Sequence, residues 1–416
     1  MSASVANQVR FVAVPPVFAP RPIRFRDWLT FTTIVSLLAG LLTNVRFQFG
    51  GLASVGETIL AVVAIFAVVA NIGNPRFWNR RMLIGLCALC LSLLGYVLSD
   101  LINSTPPDRL LRGWARMAFV IMDFMAIWAL TRSHTVNILA VCIGDAFSSL
   151  LSYFQETRHD LFYDYKFHFA LPITVVIILV TPFLLRRRAN LATGIALIGV
   201  GMCHIWLDSR TAGAVCILVG FVLIARDMTR SRLRSLYLSL LALALILSST
   251  AIALIYTATD SSFAERREGS NSYRFSAAMA GIDAIKRSPI VGLGSWVWDP
   301  EMWNIFSARM GRANIGSSSA GDTIGPHSQI IQAWAEAGLL GLFFFVYFGW
   351  LLGKALWVLC FRRTVDWMTP LFLCYLLLAV WDLCFSPFAN LHRFLIALTL
   401  AMAIHVLSQR ANRGHR

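Results

Sequence analysis

An all-α polytopic membrane protein with about twelve transmembrane helices is the expectation for this chain. Composition carries it first: 57% of the 416 residues are hydrophobic and only 14% are charged, well outside the range of soluble domains. The second observation is a series of apolar runs, each near the ~20 residues that cross a hydrocarbon core. The third is the arginine pattern, whose clusters recur at every second junction between runs.

The runs fall at 27–44, 52–72, 82–102, 113–131, 135–154, 168–185, 190–208, 211–226, 235–257, 337–360, 367–385 and 390–407. Residues 1–26 are polar, Pro-rich and basic, and lack the short apolar core of a cleavable signal. We expect a cytoplasmic basic tail there, helices 1–9 over 27–257, an outer loop over 258–326, a helix start with helices 10–12 over 327–407, and a cytoplasmic tail over 408–416. Arg21/Arg24/Arg26, Arg76/Arg80/Arg81, Arg186/Arg187/Arg188, Arg226/Arg230/Arg232/Arg234, Arg362/Arg363 and Arg410/Arg413/Arg416 share one side in this phase. The positive-inside rule makes that side cytoplasmic and turns the 258–326 loop towards the periplasm.

The net charge of +15 then has a simple origin: topogenic arginine in contact with anionic lipid. No compact basic domain exists to carry nucleic-acid binding. All eight cysteines lie within the apolar runs, where thiols act as small hydrophobes; this includes the CxxC pair Cys87 and Cys90. No repeat relates the first six runs to the last six, as a two-fold carrier would need.

The chemistry concentrates in the loop, which is about 70 residues long where most connections are short tethers. Three outward basic groups stand out. Arg210, in Asp208-Ser-Arg210-Thr-Ala-Gly, could present a fork of donors to a phosphate, or merely snorkel and pair with Asp208. Arg274 shares a helical stripe with Ala278, Gly281 and Ile285. It reads either as a solvated helix face or as an anion-binding group near the start of a short membrane-proximal helix. His327 follows Pro326, a residue suited to a helix first turn, so the ring is expected at the N-terminus of a helix running to Gly338. The dipole there disfavours imidazolium and suits a general base; the plainer reading is a structural histidine.

Some signatures are missing. The sequence holds no HExxH, no outer Asp-x-Asp and no GxxxxGK[ST], so neither a metal nor ATP is expected as cofactor. An activated, lipid-linked pyrophosphate sugar then fits best, with arginines in place of a metal on the diphosphate.

At this point the chain resembles the O-antigen ligase and polymerase superfamily of bacterial inner-membrane glycosyltransferases. The resemblance rests on Ser209-Arg210, on Arg274…Pro289-x-x-Gly292-x-Gly294, and on His327…Glu336-x-Gly338-x-x-Gly341. Ser328 stands where the family often has Asn. The resemblance implies an O-antigen ligase: a glycan moves from undecaprenyl diphosphate to lipid A-core at the periplasmic face, by a metal-independent inverting displacement. Arg210 and Arg274 would hold the diphosphate and His327 would take the acceptor proton. Arg112, Arg116, His392 and Arg393 are candidate contacts to acceptor phosphates, with surface snorkelling as their alternative. Trp334, Glu336 and the glycines are expected to shape the helix rather than react. Rival readings are an O-antigen polymerase, a protein O-oligosaccharyltransferase, and a carrier for lipid-linked sugars. The mid-span acids Asp123, Asp145 and Asp382 look too scattered for a carrier path.

Overall fold

A computed structural model of the chain describes residues 30–48, 52–75, 77–132, 135–155, 160–185, 189–227, 261–297, 299–309, 325–361, 367–388 and 390–413. Helices dominate: α1 (Phe31–Leu41), α2 (Val55–Asn71), α3 (Arg80–Ile102), α4 (Pro107–Thr131), α5 (Thr135–Tyr153), α6 (Leu161–Leu184), α7 (Ala189–Trp206), α8 (Arg210–Asp227), α9 (Ser261–Arg287), α10 (Pro300–Arg309), α11 (Gln329–Phe361), α12 (Thr369–Phe385) and α13 (Asn390–Arg413). A small antiparallel ribbon, β1 (Arg46–Gln48) and β2 (Leu52–Ser54), bridges α1 and α2. Within α6, Tyr165–Phe169 form a π-helical turn.

Among the described residues six helices are long and apolar enough to cross a membrane: α3, α4, α5, α6, α7 and α11. Helices over Phe31–Leu41, Val55–Asn71, Thr369–Phe385 and His392–Ser408 are apolar but shorter. Helix α8 carries its charges, Arg210, Arg226 and Asp227, at its two ends. The six long helices coincide with the expected runs 82–102, 113–131, 135–154, 168–185, 190–208 and 337–360. The run 235–257 lies outside the described residues. Large apolar side chains line the outside of the bundle, among them Phe66, Phe183, Val346 and Trp357, each more than half exposed. Such a surface suits a lipid solvent.

Local sequence sets the helix ends. Ser54 and Glu57 form a reciprocal capping box at the start of α2. Asn79 caps α3 by accepting from the Met82 N–H at 2.9 Å, and Pro107 opens α4. Small residues set the closest crossings: a Cβ on Gly201 of α7 would come within 2.8 Å of the Gly213 carbonyl of α8.

The junctions collect at two ends. At one, Trp128 donates to the Phe77 carbonyl at 3.1 Å, and Arg226 donates to the Leu359 carbonyl at 2.8 Å. Arg80, Arg132 and Arg226 sit at this end. At the other end lie residues 99–112, 288–297, 325–336 and 382–393, and every candidate site residue maps there.

Candidate active site

Helix α11 is broken at Gly338, whose φ of 61° and ψ of −151° are reserved in practice for glycine. The break strips the Ala335 and Glu336 carbonyls of their helical partners. The segment Pro289–Gly294 supplies replacements. Leu293 N–H donates to the Ala335 carbonyl at 2.9 Å, Gly294 N–H to that of Glu336 at 3.0 Å, and Leu339 N–H returns a bond to Ile290 at 3.1 Å. Ser99 Oγ adds a bond to the Glu336 carbonyl at 2.7 Å. A Cβ on Gly292 would lie 2.6 Å from the Glu336 carbonyl carbon. So the two glycine motifs are halves of one backbone joint, each kept small because the other presses on it. Asp100 locks the joint from α3, accepting from Ser295 N–H at 2.6 Å, Ser295 Oγ at 2.7 Å and Trp114 Nε1 at 2.8 Å. Trp334 Nε1 donates to the Pro289 carbonyl at 2.9 Å.

Beneath this joint sits a buried ion pair, Arg116 with Glu336. Gln332 Nε2 donates to the same carboxylate at 2.8 Å, and its oxygen accepts from Phe388 N–H at 2.7 Å. Arg116 also donates to the Phe388 carbonyl at 3.0 Å and lies over the Tyr96, Trp296 and Phe388 rings. A charge so enclosed persists only because it is paired and hydrogen-bonded. The network ties α4 and Phe388 to the first half of α11.

His327 stands on top of that half-helix. Ser328 takes the capping position, accepting from Ile331 N–H at 3.4 Å. His327 and Pro326 therefore precede the helix; Pro326 is not in its first turn as the sequence suggested. Pro326 instead wedges against Gly281 of α9. The half-buried His327 ring packs edge-on against Tyr273, 5.7 Å between centroids. Burial, then the Arg274 charge, then His392 hold its pKa below the usual 6.5. The neutrality expected from the helix dipole has these other causes.

Arg274 is exposed in the interior of α9, 27 residues long, and not at the start of a short helix. Its own turn has no free N–H groups to lend an anion. The buried face runs through Ala277, Ala280, Gly281 and Ala284, so of the expected stripe Gly281 is buried and Arg274 is exposed. The structure brings Arg274 into electrostatic range of His327 and of Lys166. Arg210 opens α8, is 45% exposed and pairs with Asp208 at 3.2 Å; it too lies in range of Lys166. The three catalytic candidates thus share one end of the molecule, linked through a lysine that sequence reasoning passed over. The π-helical turn at 165–169 sets where Lys166 points, and nothing in residue spacing announces such a turn.

The other four candidates divide. Arg112 is exposed on the outer turns of α4. His392 is a quarter exposed, its Nδ1 2.9 Å from Asp382. Arg116 and Arg393 are buried in ion pairs, Arg393 holding Glu57 through Nε and Nη2, both at 2.8 Å. With their guanidinium groups enclosed against carboxylates, these two are placed as struts of the bundle rather than as open phosphate contacts. Of the three acids read as scattered, Asp145 and Asp382 line one cavity of about 450 Å3 together with Glu57, whereas Asp123 is not part of its lining. Asp382 and His392 are ten residues apart on either side of a junction between helices, a spacing that could have paired them from sequence. Among the described residues no three His, Cys, Asp or Glu side chains converge as metal ligands.

A broken helix, a histidine before it and a cationic cluster beside it make up the candidate site. Residues 194–346 match the family model described as O-antigen ligase. The match takes in Arg210, Arg274, His327 and both halves of the glycine joint. No curated protein matches the chain.

Proposed function

We propose that this protein is an O-antigen ligase of the bacterial inner membrane, acting at the periplasmic face. The observation that carries this reading is the pairing of a half-buried, neutral His327 with Arg274 within the matched segment. The donor is a glycan on undecaprenyl diphosphate, and the acceptor is a hydroxyl of lipid A-core. The acceptor oxygen attacks the anomeric carbon and the sugar–phosphate bond breaks with inversion. The electron pair leaves on the diphosphate, and the acceptor proton passes to the His327 ring nitrogen. Arg274 and Arg210 carry the growing phosphate charge, a task for which a planar guanidinium fork is suited. Arg112 and His392 remain available to the acceptor side. The side chains invoked need neither ATP nor a metal.

A deletion strain tests this. It should retain lipid-linked O-antigen and lose long-chain lipopolysaccharide. Loss of polymerised glycan on the lipid carrier itself would favour the polymerase instead. Purified protein should transfer glycan in the presence of chelator; activity lost there and restored by magnesium would reject the arginine-based mechanism.

A further inference from the structure

His327 stands between a cationic cluster and a cavity lined by carboxyl groups. On one side lie Arg274, Arg210 and Lys166. On the other, reached through His392, is the cavity of about 450 Å3, lined by Glu57, Asp145, Asp382 and two imidazoles, His168 and His392. Lysine and arginine are absent from this lining among the described residues. The size is that of a small-molecule site.

We propose that this cavity binds the terminal, uncharged sugar of the acceptor; the proposal deepens the ligase reading and rests on it. The chemistry of the lining selects the ligand. Carboxylates repel a phosphate but accept strongly from hydroxyl donors. Each acid is held from behind: Glu57 by Arg393 at 2.8 Å, Asp145 by the Tyr375 hydroxyl at 3.1 Å, Asp382 by His392 at 2.9 Å and by Ser386 Oγ at 2.7 Å. A carboxylate has about four acceptor sites, so Asp145 and Asp382 keep capacity for a ligand. Metal-ligand convergence is missing among the described residues, which turns the choice from a cation to a polyol. Tyr163 and Phe167 supply apolar ring surface for the sugar's C–H faces. The two linings sort the two substrates: diphosphate to the guanidinium side, neutral hydroxyls to the side of the hydrogen-bonding carboxyl groups. The reacting hydroxyl meets the base between them.

The test uses full-length protein carrying Gln155→Cys at the exposed rim of the cavity. A membrane-impermeant maleimide reads accessibility, with wild-type labelling subtracted. Dephosphorylated lipopolysaccharide core oligosaccharide, at millimolar concentration, should slow labelling several-fold. The phosphorylated form should not. Asp145→Asn should weaken protection about tenfold, the scale of a lost charge-assisted hydrogen bond. In transfer assays Gln155→Trp should raise the KM for acceptor at least fivefold and leave the donor KM unchanged. No protection, equal protection by both oligosaccharides, or a donor KM that rises in step would overturn the proposal. Protection by neutral sugar in a protein that transfers nothing from the lipid diphosphate would instead reject the ligase reading and leave the sugar site standing.

Discussion

A proton acceptor at residue 327 has to be free of its proton at working pH. Burial, Arg274 and His392 all push the His327 pKa down from 6.5, so the neutral ring prevails at neutral pH. Acid converts it to imidazolium, which takes no proton from the acceptor. Transfer should therefore fall on the acid side, with its limb below pH 6.5, and rates measured across pH 4.5–8 in purified protein check this. A limb above 6.5 would contradict the environment described. His327→Ala should cut transfer by ~10²–10⁴-fold while the protein still accumulates, because the ring sits before a helix and outside the packed bundle. A full lipopolysaccharide ladder at matched expression would remove His327 from the mechanism. Glu336 lies one layer below and behaves differently. Glu336→Gln leaves Arg116 buried without its counter-charge, a loss of roughly 3–5 kcal/mol. Thermal unfolding in detergent should show a lower midpoint, and replacing Arg116 and Glu336 together by apolar residues should recover most of it.

At the scale of elements the joint between α11 and Pro289–Gly294 is decisive. Gly338→Ala must place a side chain on a backbone of φ 61° and against the Ile290 carbonyl. Strain alone costs about 1–3 kcal/mol, and the carbonyls of Ala335 and Glu336 lose their partners if the segment moves. Gly353, on the same helix, has nothing within 4 Å of its Cβ position. Gly353→Ala should be neutral or stabilise by up to about 1 kcal/mol. Comparing yield and thermal midpoint of the two variants separates a joint from generic helix propensity. Equal behaviour would mean that the break at Gly338 is not held by the facing loop. Gly281 of α9 completes the assembly by letting that helix lie close to Pro326 and Ile331, beside the contact of Tyr273 with His327.

The whole molecule is organised by sidedness. Arg80, Arg132 and Arg226 occupy one end and the candidate site the other, the separation that the positive-inside rule turns into an orientation. A periplasmic reporter such as alkaline phosphatase fused near Ser318, within 310–324 and outside the described residues, should be active. Labelling of a cysteine there only from the cytoplasm would reverse the topology, and the ligase mechanism would fall with it.

Hydrophobic runs and arginine clusters were legible in the linear sequence because lipid solvation acts on each segment separately. The three candidates, Arg210, Arg274 and His327, were chosen on the same ground, since a histidine or arginine at an outer junction is conspicuous in apolar surroundings. Placement of the acids was not legible. Glu57, Asp145 and Asp382 are far apart in the chain and meet only because α2, α5 and α12 pack together around one cavity. Arg116 and Arg393 read as surface groups until packing enclosed them with Glu336 and Glu57. The glycine motifs showed small residues at fixed spacing but not that each half presses on the other. Local chemistry is written residue by residue, whereas burial, pairing and the sign of a field depend on which helices become neighbours, and that is decided only when the bundle closes.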